Sequence, residues 1–382
     1  MTLGWDRIES QDGFAGAEAF AAREVRPVLE RVSLDPINPE RQKRIIGRFM
    51  IAPFMLFGAT FFTLDLFLPD TGWFEFLQFL LFPILFIVYM AAGLFLMRGQ
   101  LARLFIEAQA RLALKAEAMN RIAAPLGLRY VPAPGGAPKG LEWLSQQSWA
   151  PAILREATVS LNAAGGMDEA VAIVRESGLM VEANTYVVGT PDQKAKYHEQ
   201  ASGMRQIEDG FEGRRAGLDF SMFEWVETVS DAPDIRHLII VLAAPMALHG
   251  VTHLRARKTG WPQDPSGVPM QDVDLGPKAF DSLYKLRSSD QVEARAIFNP
   301  AVIERVIALA HGGPFRAVAR AGHLVFDFAS EANRFNLVDL ITGVWNDETL
   351  HQTYADLAEA LALVDTLGHA FMLARKSDTS AS

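Results

Sequence analysis

Two long apolar runs, which together contain one ionisable residue, constrain this chain more than any other feature of its sequence. The first extends from Phe49 to Leu68 with Asp65 as its only ionisable residue, and the second extends from Phe76 to Met97 with no ionisable residue. A helix rises about 1.5 Å per residue, so a run of about 20 residues spans about 30 Å, the thickness of the hydrocarbon core of a bilayer. The sequence therefore predicts a transmembrane helical hairpin over residues 48–98, in preference to a buried hairpin of a soluble protein.

The charges that flank the two runs predict how the hairpin is oriented. The charged residues of the connecting turn are both acidic, Asp70 and Glu75. The two outer flanks are basic and carry Arg41, Lys43, Arg44, Arg48, Arg98, Arg103 and Arg111. Positive charge stays on the cytoplasmic side, which predicts a two-pass plasma-membrane protein with both termini in the cytoplasm. Asp65 lies about one helical turn from Pro69, which favours the outer interface over a place in a proton or ion pathway.

The rest of the chain divides into three segments. Residues 1–47 form a cytoplasmic amphipathic segment interrupted by Pro27, which either lies on the membrane or packs on the downstream domain. Residues 99–125 read as a stalk helix that continues the second span as far as Pro125 and carries an apolar stripe ending at Met119. Residues 126–382 are then a cytoplasmic domain, beginning with the Pro/Gly-rich linker Val131 to Gly140.

The hydrophobic period of residues 126–382 predicts the fold class. After a helix predicted from about Met167 to Glu176, alternating segments from Leu179 onwards predict strands, and Ala321-Gly322 predicts a turn between two more. Helices are predicted from the caps Asp290 and Asn299. One face of a long final helix carries a stripe of large side chains: Leu350, Tyr354, Leu357, Leu361, Val364 and Phe371. Strands followed by helices predict an α+β domain with a mainly antiparallel sheet.

The stretch "IEDGFEGRRAGLDFSMFEW", residues 207–225, concentrates charge within a predicted β-hairpin. Its glycines suit turns, and its aromatic residues suit a core face. One interpretation is that the charges form cross-strand pairs or face water; the other is that they grip an anionic ligand. Neighbouring residues of a strand point to opposite faces, so Arg214 and Arg215 do not both aim at one ligand. The candidate contact residues of the whole chain are Glu212, Arg214, Arg215, Asp290 and Arg295.

Composition and motifs exclude several kinds of chemistry. The chain has no cysteine, which excludes disulfides, thiolate catalysis and Cys-ligated metal centres. Its net charge of −9 gives no support to a nucleic-acid partner. His249 and His253 have a zinc-site spacing, but the pair falls in a predicted strand with no glutamate after the first histidine. We therefore predict no metal site, no cofactor and no catalytic residues.

Three segments resemble the bacterial family called domain of unknown function 3137. They are residues 197–227, 278–309 and 322–335, and the first contains a D-x-F-x-G pattern at Asp209, Phe211 and Gly213. The second contains an S-D-x-x-E-A-R segment from Ser289 to Arg295. The resemblance implies two membrane spans followed by a cytoplasmic domain, in the inner membrane of a bacterium. The family has no established activity, so the resemblance implies no catalytic residue.

These observations together predict a membrane-anchored cytoplasmic binding or scaffold protein. Its expected partners are the lipid bilayer and either another protein or a second copy of the chain. The absence of a known catalytic signature favours a non-enzymatic role. Two alternatives stay open, an enzyme that acts on lipid or envelope substrates at the membrane surface and an accessory subunit of a transport or envelope assembly.

Overall fold

The computed structural model describes residues 3–33, 55, 58–59, 62, 110–132, 138–147, 205–227, 235–256, 268–275, 280, 283–311, 313–339 and 344–381. The chain divides into two compact units. Unit 1 comprises Met1–Pro27, Ala116–Leu337 and Asn346–Ser382, and unit 2 comprises Val28–Lys115 and Val338–Trp345. The predicted transmembrane hairpin lies outside the described residues except for four positions of its first run. The helix predicted from about Met167 and the strand predicted from Leu179 also lie outside them.

The N-terminal residues pack on the α+β domain of unit 1. Helix α1 (Trp5–Glu9) is followed by α2 (Ala17–Phe20), a π-helical turn (Ala21–Val25) and α3 (Arg26–Ser33). Pro27 does not interrupt the helix, because the wider π turn before it relieves the clash that proline makes with the preceding turn. Trp5 packs against Tyr354 of the final helix with ring centroids 5.3 Å apart. Of the two placements that the sequence left open, the structure has residues 5–25 on the domain.

The end of the predicted stalk helix is part of the same packing. Residues 110–123 form helix α4, and a 3-10 turn (Ala124–Leu126) follows at Pro125. Met119 and Ile122 of α4 are buried. Arg121 donates to the carbonyl oxygen of Glu24 at 3.1 Å, which ties α4 to the N-terminal helices.

One antiparallel sheet organises the domain. Its strands are β1 (Leu128–Val131), β2 (Arg205–Arg215), β3 (Leu218–Glu227), β4 (Ile235–Ala243), β5 (Thr252–Ala256), β6 (Gln271–Asp272), β7 (Tyr284–Ser288), β8 (Phe315–Arg320) and β9 (His323–Ser330). The described strands follow the order β1-β2-β3-β4-β9-β8-β5-β7-β6, and every pair is antiparallel. The α+β class and the antiparallel sheet are confirmed, whereas β1 lies in a segment with no predicted strand.

The two faces of the sheet are covered differently. Helix α5 (Lys139–Ser145) covers part of one face, where Leu141 and Leu144 pack on Phe223, Ile239 and Val325; we call this the α5 face. The opposite face, which carries Met222, Ile240 and Phe326, is called the α8 face. It packs against α6 (Gln291–Ile297), α7 (Pro300–Ala310) and α8 (Asp347–Ala381). Because side chains alternate along each strand, this division assigns every sheet residue to one layer.

The hairpin of residues 207–225 forms as predicted, but only one of its glycines is in the turn. Ala216 and Gly217 adopt φ values of 47° and 80°, as a two-residue hairpin turn requires. Gly210 and Gly213 lie within β2, where a Cβ atom would come within 2.9 Å of Pro138 and 2.8 Å of Leu128. These two glycines therefore permit close packing of neighbouring chain rather than a turn.

The predicted helix caps are confirmed, with one difference. Asn299 caps α7 through its side chain, and Pro300 is the first residue of that helix. Asp290 accepts hydrogen bonds from the main-chain N–H groups of Val292 and Glu293 at the start of α6. Glu293 does not reach back to Asp290 as in a reciprocal capping box; it accepts from the N–H groups of His249 and Gly250 instead. The glutamate thus holds the segment before β5 on the helix.

Helix α8 carries the predicted apolar stripe, and all six residues of the stripe are buried. Within the described residues, its portion Asp347–Ala374 is also the one helix long and apolar enough to cross a membrane by length and composition. More than half of its apolar window is buried inside the structure. The helix contacts β2, β3, α6 and α7 and forms an ion pair with Arg215 of the sheet. We therefore describe α8 as the central helix of the domain.

Candidate functional site

The five residues predicted as contact sites do not form one cluster. Glu212, Arg214 and Arg215 lie on β2, near one end of the sheet, while Asp290 and Arg295 lie on α6, which follows β7 near the other end. The Asp290 carboxylate caps α6 by accepting from the main-chain N–H groups of Val292 and Glu293. The guanidinium of Arg295 is exposed and donates to the Asp274 carbonyl oxygen at 3.3 Å and to Gln291 at 3.2 Å.

The charges of the hairpin separate by strand face, as predicted. Glu212 and Arg214 lie on the α5 face, and Arg215 lies on the α8 face. Glu212 is buried, binds the Arg129 side chain of β1 and accepts from the main-chain N–H of Lys139 at 3.1 Å. The D-x-F-x-G aspartate, Asp209, is also buried and accepts from the Tyr130 hydroxyl. Both carboxylates therefore attach β1 and the start of α5 to β2.

Arg215 forms a bidentate contact between the sheet and α8. Its Nε and Nη2 donate to the two carboxylate oxygens of Asp365 in α8 at 2.7 and 2.8 Å, and Nη2 also donates to the carbonyl oxygen of Asp12. Its side chain is 10% exposed, whereas those of Arg214 and its partner Asp219 are 72% and 73% exposed, with 3.9 Å between them. Adjacent arginines thus have different roles, one between layers of the fold and one in solvent.

We expect Arg215→Ala to lower the free energy of unfolding by about 2–3 kcal/mol, because it leaves the half-buried Asp365 without its bidentate partner. Arg214→Ala should change it by no more than about 0.5 kcal/mol, since an exposed pair contributes little. Denaturant unfolding of the purified full chain, followed by tryptophan fluorescence, measures both. Equal effects of the two substitutions would show that the Arg215–Asp365 contact does not stabilise the packing of the sheet on α8.

A histidine–aspartate–arginine triad lies on the α5 face across β4, β9 and β8. Asp327 accepts from Nδ1 of His237 at 2.8 Å and from Nε of Arg316 at 2.6 Å. Burial alone would raise the pKa of Asp327, but the His237 hydrogen bond and the Arg316 charge outweigh it and hold that pKa below its ordinary value. Trp225 stacks on the His237 ring at 4.6 Å. No motif in the sequence indicates this triad, because its members are far apart along the chain.

A second polar cluster is buried between the α8 face and the helices. Glu224 of β3 accepts from the main-chain N–H of Arg334 at 3.1 Å and lies 3.6 Å from the Arg236 guanidinium. Arg334 donates to the carbonyl oxygen of Leu309 at the end of α7 at 2.9 Å. Glu224, Arg334 and Asp356 of α8 are each less than 5% exposed. One cluster therefore joins β3, β4, α7, α8 and the β9–α8 loop.

The pKa of the Asp356 carboxyl group is shifted far from its ordinary value. Burial raises the pKa of Asp356 to about 8, although the charge of Arg334 and a hydrogen bond from Gln352 lower it in part. Gln352 donates to Oδ1 at 2.8 Å, while Oδ2 has no hydrogen-bond partner among the described residues. At neutral pH this carboxyl is therefore mostly protonated, whereas the paired Asp327 is ionised.

Several basic side chains lie on the α5 face of the neighbouring strands β8, β5 and β7. Five cations on this face form what we call the cationic strip: Arg255, Lys285, Arg287, Arg316 and Arg320. Arg255 lies directly opposite both Arg316 and Lys285 in the strand register. The described strands β5 to β9 place two carboxylates on the same face, Asp327 and Asp272. No local pattern in the sequence indicates the strip, because strand pairing alone brings its members together.

The described part of the chain offers no metal centre. No group of three or more histidine and carboxylate side chains converges there in a geometry that could hold an ion. His253 lies in β5 and His249 in the preceding loop, so their spacing does not place them on one helix.

Comparisons with curated proteins and with solved structures give no basis for an inference about function. A comparison with curated proteins finds no match. Among solved structures, the crystal structure of the mycobacterial trehalose monomycolate transport factor A, TtfA, is similar over 50% of this chain and 92% of that one. The identity is 12% and the TM-score is 0.22, a likeness too low to support an inference about fold or function.

A family model matches residues 238–369, from β4 to the middle of α8. The model is described as a protein of unknown function (DUF3137). The matched residues include the S-D-x-x-E-A-R segment and β9, whereas the D-x-F-x-G segment lies before them. The resemblance inferred from the sequence is thereby confirmed over residues 238–369, which match the DUF3137 family model.

Proposed function

We propose that the chain is a membrane-anchored cytoplasmic binding protein, held in the bacterial inner membrane by the hairpin of residues 48–98. The observation that carries the proposal is the pair of apolar runs, 49–68 and 76–97, each about as long as a bilayer core is thick. Four positions of the first run support it. Met55, Gly58, Ala59 and Phe62 are helical and exposed, and their spacing puts them on one helix face. Large apolar side chains exposed along one face suit lipid better than water.

The exposure of charged side chains on the α5 face supports a binding role for the domain. Glu212, Arg215 and Asp290 are engaged by contacts within the chain, so they serve the fold. The cationic strip lies on a part of the sheet face beyond the α5 cluster, and the side chains of Lys285 and Arg287 are 33% and 46% exposed although both pair with Asp272. We propose that the domain presents this face to its partner, which is the bilayer, another protein or a second copy of the chain.

Reporter fusions test the anchoring. A fluorescent protein that folds only in the cytoplasm should be active when fused after Ser382, and alkaline phosphatase should be active when inserted in the turn between Pro69 and Glu75. The reason is that basic flanks retain both ends inside. Retention of the full chain in membranes after alkaline carbonate washing is expected as well. Phosphatase activity after Ser382, or release by the wash, would contradict the topology or the anchor respectively.

A second candidate function is an enzyme at the membrane surface, and the His237–Asp327 contact favours it. A carboxylate that accepts from Nδ1 selects the tautomer and orientation of the ring, as it does for histidine general bases. Purified full chain should then release products from membrane lipids, and His237→Gln should abolish the release without unfolding the protein. Crosslinking in membranes that recovers a reproducible partner or a second copy, with no turnover, favours the binding protein or the accessory subunit.

A further inference from the structure

The connection between β9 and α8 contains a segment that belongs to the second compact unit. Val338–Trp345, which we call the 338–345 loop, groups with Val28–Lys115, whereas the residues on either side of it, Leu337 and Asn346, belong to unit 1. The proposed membrane hairpin of residues 48–98 lies within unit 2 as well. A segment from near the end of the chain is therefore grouped with the part of the protein that contains the proposed anchor.

Hydrogen bonds fix both ends of the 338–345 loop. The main-chain N–H of Asp339 donates to the carbonyl oxygen of Val344 at 3.0 Å, so the loop closes on itself. Just outside the loop, the Thr349 hydroxyl donates to the carbonyl oxygen of the buried Leu337 at 3.3 Å, and the Asn346 side chain accepts from the main-chain N–H of Thr349 at 2.7 Å. The two ends of the loop therefore have a defined backbone geometry.

The 338–345 loop is apolar in sequence and exposes an apolar side chain. Five of its eight residues are valine, leucine, isoleucine or tryptophan, and Asp339 is its one ionisable residue. Val344 is 59% exposed, and Trp345 beside it is partly exposed. Tryptophan is enriched at membrane–water interfaces, because its ring is apolar while its N–H forms hydrogen bonds. An exposed valine next to a tryptophan suits the boundary between water and hydrocarbon better than water alone.

We propose that Val344 and Trp345 contact the cytoplasmic interface of the lipid bilayer, as a second membrane contact besides the hairpin. The inference rests on the proposed anchor. An anchor in the same compact unit keeps the loop at a high effective concentration near lipid, so two side chains are enough for a contact that they could not maintain from free solution.

The charges near the loop favour an apolar contact over an electrostatic one. Asp339, Asp347 and Glu348 are exposed acids, and an anionic lipid surface repels them. The nearby cation Arg26 already pairs with Asp347 at 2.6 Å. Contact through Val344 and Trp345 should therefore form with zwitterionic lipid and should not weaken at high salt, since salt screens charges and leaves the burial of apolar surface favourable.

A site-specific fluorescence experiment tests the contact on the full chain. Because the chain has no cysteine, Val344→Cys provides a unique position for a small environment-sensitive label. The labelled chain is reconstituted in phosphatidylcholine nanodiscs, with or without lipid that carries a nitroxide on the upper part of its acyl chain. We expect the nitroxide to lower the emission of this label by about twofold or more, at low and at high salt alike. A label introduced by Leu373→Cys, at a position of α8 that is 68% exposed, should show no such decrease.

Substitution of the tryptophan provides the matched comparison. Trp345→Gln, added to the chain labelled at position 344, should bring the quenching down to the level of the label at position 373, because glutamine has little affinity for the interface. Val292→Gln changes a 79%-exposed valine of α6 and should leave the quenching intact. Circular dichroism and unfolding of each variant establish that it is folded. If Trp345→Gln does not fold, aqueous iodide replaces it as the test: the bilayer should protect the label at position 344 but not the label at position 373, and equal access of iodide to both would contradict the contact.

The outcomes separate the contact from the anchor and from other occupants of the loop. A chain that does not co-elute with nanodiscs would contradict the anchor, whereas a chain that co-elutes with both labels quenched equally would contradict the contact alone. Quenching that requires phosphatidylglycerol and disappears at high salt would replace the apolar contact by an electrostatic one. An unlabelled Val344→Cys chain that oxidises to a disulfide-linked dimer, together with a labelled chain that the nitroxide does not quench, would replace the bilayer by a second copy of the chain.

Discussion

Replacing Glu224 by leucine is expected to lower the free energy of unfolding by about 3–5 kcal/mol, because it removes one member of a buried ionic cluster and leaves the others buried. Glu224 is fully buried and receives the main-chain N–H of Arg334. In the orientation of the Asn333 amide that satisfies both of its groups, this amide also donates to Glu224 at 3.2 Å. The substitution therefore leaves the Asn333 amide and the main-chain N–H of Arg334 without this acceptor, and it removes the negative charge 3.6 Å from the Arg236 guanidinium. Denaturant unfolding of the full chain in detergent measures the loss.

The same strand provides the control for this substitution. Asp219→Leu changes an acid of β3 whose side chain is 73% exposed, and it should alter stability by no more than about 0.5 kcal/mol. Glu224→Gln should fall between the two, because the amide oxygen still accepts from Arg334 but no longer carries charge. If Glu224→Leu unfolds at the same denaturant concentration as the unmodified chain, the cluster does not hold the layers together.

The unmodified chain is expected to lose stability as the pH rises from about 4 to about 8, and Asp356→Asn should remove that loss. Burial raises the pKa of Asp356 to about 8, whereas an unfolded aspartate titrates near 3.9. Between those values the folded chain holds a proton that the unfolded chain has released. Each pH unit within the window therefore lowers the free energy of unfolding by about 1.4 kcal/mol. The contribution is fully present below the unfolded pKa and lost as the pH passes the folded one.

The groups around Asp356 determine the size of this effect. Arg334 and Gln352 favour the ionised carboxylate, while burial and the charges of Glu359 and Glu224 oppose it. Asparagine keeps the Oδ1 acceptor for Gln352 and cannot ionise, so the variant should match the unmodified chain near pH 4 and exceed its stability by a few kcal/mol at pH 8. Asp347→Asn changes an exposed acid at the start of α8 and should leave the pH dependence as it is. Parallel stability profiles of the unmodified chain and Asp356→Asn would show that the carboxyl titrates normally.

The sequence predicted the features that depend on interactions between residues close together in the chain. Asn299 and Pro300 predicted the start of α7, because a cap acts on N–H groups two or three residues away. The Ala321-Gly322 pair predicted a hairpin turn, and both residues have positive φ. The stripe of α8 predicted its buried face, since helical spacing alone puts those residues together. Alternation along β2 predicted that Arg214 and Arg215 separate to opposite faces.

Features that depend on pairing between distant strands were not predicted. Strand β1 has four residues, too few for a periodic pattern, and its register partners in β2 lie about 80 residues later in the chain. Strand β4 pairs with β9 in the middle of the sheet, although β5 to β8 lie between them in sequence. That pairing brings His237 to Asp327, 90 residues away, and the pairing of β5 with β7 and β8 brings the strip together. The sequence favours turns for Gly210 and Gly213. The neighbours that require glycine at these positions, Pro138 and Leu128, come from a distant segment and are not visible in the local pattern.

Residue types and their spacing were enough by themselves to identify the two apolar runs, the helix caps, the α+β class and the family resemblance. Tertiary structure alone decided what the charges do. Arg215 binds Asp365 between layers, Asp356 is kept protonated by burial, and three cations of one row face each other across neighbouring strands. The physical reason is that the energy of a charge depends on its burial and on the charges within a few ångströms, and both are set by contacts between residues far apart in the chain.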